Sequence, residues 1–272
     1  MTRTEPAAGT GLGPAWAAAR GQWGLVVVLF ALAGVGWWWT VTTMRGMDDG
    51  PWTDLGGFGW FLVVWVVMMA AMMFPSVAPT VALYSRMSAK SRLMPLVFTA
   101  GYLATWAGAG VVAFAIGAGA RQAAGGSMAW ENAGRPLAGT TLLLAAAYEL
   151  TPLKNVCLGK CRSPLGTLLG SWRDGWSGAF RMGARSGAWC VGCCWALMAA
   201  LFGLGIMSVT WMAVVAGLIA AEKTIPWRRV ATFGTALVLV ALGILVLVAP
   251  DALPGLTVPA THEDPGMSPM GS

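Results

Sequence analysis

Long apolar runs, at about 24–43, 58–83, 95–118, 137–156, 186–206, 211–226 and 230–249, alternate with short segments that hold nearly all the charge. A run of about twenty apolar residues crosses a bilayer as a helix, because a rise of about 1.5 Å per residue spans about 30 Å of hydrocarbon. In lipid such a run must satisfy its own backbone hydrogen bonds, so a helix is the form open to it. Charged residues make up 10% of the 272, against about 25% in soluble domains. The expected fold is all-α, a polytopic transmembrane helical bundle of about seven spans (six to seven) with the lipid bilayer as its solvent. The net charge of +6 falls between the runs, where basic residues set membrane orientation. No nucleic-acid module accompanies it, and oligomeric state is not written in the chain.

The first run, Gly24 to Thr43, ends in Trp37-Trp38-Trp39. It is too long for a signal h-region of about 7–15 residues and reads as a retained span whose indoles sit at the interface. Three segments follow as domains: a disordered cytoplasmic tail over 1–22, a transmembrane helical domain over 23–250, and a disordered outer tail over 251–272. Seven crossings from a cytoplasmic N-terminus leave only Arg45, Arg121 and Arg135 of the seventeen Lys and Arg outside. The loop with Asp48, Asp49 and Asp54 then faces outward, and Arg86, Lys90 and Arg92 face inward.

The densest basic segment, 157–185, is placed on the inner side. Within it Leu165, Leu169, Trp172, Trp176 and Phe180 recur at helical spacing, which predicts an amphipathic interfacial helix in the inner loop. In the second span Pro75 removes a helix hydrogen bond, so a kink is expected near Ala71. Gly101, Gly108 and Gly110 in the third span allow a neighbouring helix to come close.

All five cysteines lie within about thirty-eight residues. Cys190, Cys193 and Cys194 stand at i, i+3 and i+4, on one helical face, and Cys157 and Cys161 are one turn apart just upstream. A lone cysteine in such a helix is ordinarily a small apolar filler. Five clustered thiols are better read as ligands, and thiolate selects Cu(I), Zn or iron–sulfur centres, with thioether adding preference for Cu(I). The apolar runs contain no histidine, which argues against imidazole-ligated haem or zinc. Met72, Met73 and Met198 are candidate thioether donors, although methionine in apolar helices is more often packing. His262, Met267 and Met270 in the outer tail offer a weaker set. Two boundary carboxylates, Glu149 and Glu222, read equally well as functional groups or as partners of Lys154 or Arg162.

The runs Met69-Ala70-Ala71-Met72-Met73-Phe74-Pro75, Tyr148-Glu149-Leu150-Thr151-Pro152-Leu153-Lys154 leading to Cys157, Cys161-Arg162-Ser163-Pro164-Leu165, and Cys190-Val191-Gly192-Cys193-Cys194-Trp195-Ala196-Leu197-Met198 followed by Glu222-Lys223 and Pro226 resemble a bacterial family of predicted metal-binding integral membrane proteins, over about residues 58–245. The resemblance implies a bacterial inner-membrane helical protein with a metal site at Cys157, Cys161, Cys190, Cys193 and Cys194.

The expected function is a thiolate-rich soft-metal site near the inner face, for copper before zinc, in binding, handling or delivery of the ion to a partner protein or enzyme. Two alternatives stand beside it: a membrane thiol–disulfide relay, and a metal-containing subunit of a membrane enzyme complex. No nucleophilic triad or phosphate-binding glycine loop is present, and whether the protein is itself an enzyme stays open.

Overall fold

The computed structural model describes residues 22–44, 57–88, 91, 93–124, 134–204 and 208–249. The two tails, the loop with Arg45, Asp48, Asp49 and Asp54, the basic residues Lys90 and Arg92, and the tail residues His262, Met267 and Met270 lie outside the described residues.

The described residues form nine α-helices and no strand: α1 (Trp23–Met44), α2 (Phe58–Met87), α3 (Met94–Ala124), α4 (Arg135–Glu149), α5 (Pro152–Arg162), α6 (Pro164–Leu169), α7 (Gly175–Leu204), α8 (Val209–Thr224) and α9 (Arg228–Val248). Five of them, α1, α2, α3, α7 and α9, are long and apolar enough to cross a membrane, which is compatible with a multi-pass membrane protein. Helices α4 and α8 have 15 and 16 residues, or roughly 23 Å each at 1.5 Å per residue. The helix α2 runs unbroken through Pro75 and Pro79.

Two boundaries differ from the sequence expectation. The amphipathic interfacial helix is not a single element. Residues 164–169 form the short α6, and Trp176 and Phe180 belong to the first turns of α7. The break falls at Gly170 to Gly175, where Gly175 takes φ +83°, a conformation open to glycine and costly for other residues. Consequently α7 starts at Gly175 rather than near Ser186. The second difference is at the fourth run, where α4 stops at Glu149 and Pro152 opens α5. Thr151 caps α5 by accepting from the Lys154 amide at 3.3 Å, as N-cap threonines do.

Backbone contact without side chains between them joins α3 to α7. A Cβ on Gly101 would collide with the Phe180 carbonyl, and one on Gly183 with the Phe98 carbonyl. A Cβ on Gly187 would sit 2.9 Å from both Tyr102 O and Thr105 Cβ, and Thr105 Oγ1 donates to Ala184 O at 3.0 Å. Small residues spaced by four on α7 thus let the two axes approach, as in apolar helix pairs generally. Gly110 packs on the Trp65 ring, whereas Gly108 faces open space. Trp65 in turn donates to Trp106 O at 2.9 Å, tying α2 to α3. This tight α3–α7 pair fixes where the cysteines of α7 stand.

Candidate metal centre

Helix α5 is short, polar and folded back into the bundle. Its inward residues Lys154, Cys157, Leu158 and Arg162 are buried, and Cys161 is partly buried. At its C-terminus Arg162 donates to Glu222 O at 2.9 Å and to Ile225 O at 2.6 Å, carbonyls at the end of α8 that would otherwise lack partners. Nearer its start, Lys154 Nζ lies 2.5 Å from Glu149 Oε2 and 2.8 Å from Glu222 Oε2. All three side chains are 2% exposed or less. Glu149 and Glu222 therefore meet as an ion-pair knot around Lys154, the bland alternative the sequence left open.

So anchored, α5 holds Cys161 against α7. The sulfurs of Cys161, Cys190 and Cys193 all lie within 4.8 Å of one another, with Cys193 to Cys161 at 3.6 Å. Cys194 Sγ stands 3.2 Å from Cys193 Sγ, and all five cysteines are free thiols. From α2, Met73 Sδ comes within 3.8 Å of Cys190 Sγ. A trio of thiols within that compass can close on one ion with little movement. None of these sulfur contacts involves Met72 or Met198, which are buried in the core. Cys157 is turned away from the trio and packs on Gly192, whose added Cβ would sit 2.8 Å from its sulfur.

Two polar groups that the cysteine pattern did not single out reach the same sulfur. Tyr102 donates its hydroxyl to Cys190 Sγ at 3.0 Å, and Lys223 Nζ lies 3.2 Å from Cys190 Sγ and 3.7 Å from Met73 Sδ. Lys223 had a signal in the sequence, as a lysine at the end of an apolar helix beside Glu222. Tyr102 had only its place in a glycine-rich run. On α5, burial pushes the Cys157 thiol up, and hydrogen bonding to Cys190 together with burial pushes Cys161 well above the ordinary thiol range. A metal bound by such thiols must displace protons.

The family model for PpoB2, a copper chaperone, matches residues 62–246. The chain belongs to the PpoB2 copper chaperone family. The match takes in α5, α7, α8 and the part of α2 that bears Met73, so every residue of the sulfur cluster falls within it. No curated protein and no solved structure matches the chain. Membership of the PpoB2 family and a buried cluster of three cysteines together allow metal binding or handling.

Proposed function

We propose that this protein is a multi-pass protein of the bacterial inner membrane, with its N-terminus cytoplasmic and about seven spans, that accepts Cu(I) at Cys161, Cys190 and Cys193 and passes it to a partner protein or enzyme. The observation that carries the proposal is the meeting of three thiols from two helices within 4.8 Å. Copper is favoured over zinc because a thioether, Met73 Sδ, comes within 3.8 Å of Cys190 Sγ beside the thiols. Thioether is a soft ligand suited to Cu(I), while structural zinc takes four nitrogen or thiolate donors. Copper here is cargo. A site shared between the long α7 and the short, separately anchored α5 suits a cargo, because a small displacement of α5 removes one donor of three.

The reading is tested by elemental analysis of the full chain, purified in detergent under anaerobic, reducing conditions and loaded with Cu(I) or Zn(II). One equivalent of copper, lost in Cys193→Ser, is expected. Retention of zinc in place of copper turns the site into a structural zinc centre. If neither metal is held, and a redox-dependent gel shift is lost in the serine variants, the thiol–disulfide relay takes its place.

A further inference from the structure

A pocket of about 430 Å³, counted with its open mouth, leads from the surface to the sulfurs of Cys161 and Cys190. Its chemistry is unexpected for the path of a cation. No carboxylate, imidazole or thioether is found among its described lining residues; two lysines are, Lys160 at the rim and Lys223 at the base. The lining also includes Ser76, Thr80 and Ser186, whose hydroxyls have no hydrogen-bond partner among the described residues. Lys160 is exposed and likewise makes no ion pair among the described residues. A bare monovalent cation entering here would pass the Lys160 ammonium and meet the Lys223 ammonium beside the Cys190 sulfur, with no carboxylate on the walls, whereas an anion would find the free Lys160 ammonium and three hydroxyl donors. A cleft lined by one sign of charge concentrates species of the opposite sign.

We propose that copper reaches this site as an anionic complex, Cu(I) held by a small carboxylate-bearing thiol, and that the pocket binds that carrier through Lys160 and the hydroxyls of Ser76, Thr80 and Ser186. The inference rests on the Cu(I) reading given above and adds the form in which the ion is delivered. Transfer is a ligand exchange. Each bond between copper and the carrier sulfur that breaks is replaced by a bond to a cysteine Sγ of the protein. Copper stays Cu(I) and no electron moves. The proton of each cysteine that replaces a carrier sulfur ends on the departing carrier thiolate, and a cysteine that binds beyond the number of carrier sulfurs lost releases its proton to water.

The test uses two donors with the same thiol and opposite charge, the Cu(I) complexes of glutathione and of glutathione diethyl ester. Both are mixed anaerobically with the full chain in neutral detergent, and copper transfer is followed in time. At low ionic strength the acid form should load the protein at least about tenfold faster than the ester, with the gap closing as salt rises. The ratio of the two rates should fall towards one in Lys160→Glu. Arg181→Gln, which removes a positive charge away from this pocket, should keep the wild-type ratio. Equal rates from the two donors, or a ratio untouched by Lys160→Glu, would overturn the anionic carrier while copper loading itself still stood. If neither donor loads copper, the Cu(I) reading falls and this inference falls with it.

Discussion

Two polar clusters lie side by side in the bundle, and the same two helices feed both. Helix α5 sends Lys154 to one and Cys161 to the other; α8 sends Glu222 to one and the next residue, Lys223, to the other. In the first, the Lys154 ammonium is held between two carboxylates, and every charge has an opposite charge in contact. In the second, three thiols and a thioether crowd together with one ammonium beside them. The comparison shows that burial of charge does not mark the site. A buried ion-pair knot holds its charges against one another and fixes α5 in place, whereas the sulfur donors are brought together with room for a soft ion among them.

The comparison breaks first at Lys154. Lys154→Met leaves two buried carboxylates without their cation, and breaking a buried pair costs about 3–5 kcal/mol, so a large drop in thermal unfolding temperature is expected. Replacing Glu149, Lys154 and Glu222 together by Met should cost far less. If the triple variant unfolds as early as the single one, the knot has a role beyond balancing itself. Next comes the α3–α7 contact that sets the cysteines. Gly183→Ala forces a methyl group onto the Phe98 carbonyl, and overpacking of this kind costs about 1–3 kcal/mol. Reduced stability should come with reduced copper content, both read on the same preparation.

Smaller effects on stability sharpen the sulfur side. Cys193→Ser should lower the unfolding temperature little and yet abolish stoichiometric copper, since a hydroxyl replaces the central thiol with almost no change in volume. Gly192→Ala pushes on the Cys157 sulfur at 2.8 Å and so tilts α5; copper affinity should weaken about tenfold, the lower end of the range for groups that orient ligands. The least effect is expected from Cys157→Ser, which should keep its copper because that sulfur faces Gly192 and not the trio. Copper lost in Cys157→Ser to the same extent as in Cys193→Ser would show that α5 is placed differently when metal is bound.

Much of this was legible in the chain. The apolar runs gave the helices, because their length and lack of charge leave no other regular structure, and the spacing of Cys190, Cys193 and Cys194 put three thiols on one face. Gly101 announced the close approach of α3 to its neighbour. Less legible was the stretch from Leu165 to Phe180, whose helical periodicity continues across a turn at Gly170 to Gly175; periodicity records which side is apolar and does not register a break that keeps phase. Pairing between distant segments was also hidden. Nothing in the spacing of Cys157 and Cys161 says that only the second meets the sulfurs of α7, because both lie on one face of α5 and the outcome depends on where Lys154 and Arg162 anchor that helix. Met73 was one of several methionines in its run, and its contact with Cys190 depends on how α2 is rotated against α7. Tyr102 and Lys223 join the sulfurs through tertiary packing of α3 and α8, to which local sequence is blind.

The most direct test of the sulfur site is X-ray absorption at the copper edge on the Cu(I)-loaded full chain, compared with the same measurement on Cys161→Ser. Three sulfur neighbours and no nitrogen or oxygen in the wild-type chain, falling to two in the variant, is the predicted result. A first shell of nitrogen or oxygen, or a sulfur count unchanged by Cys161→Ser, would contradict a copper site shared between α5 and α7.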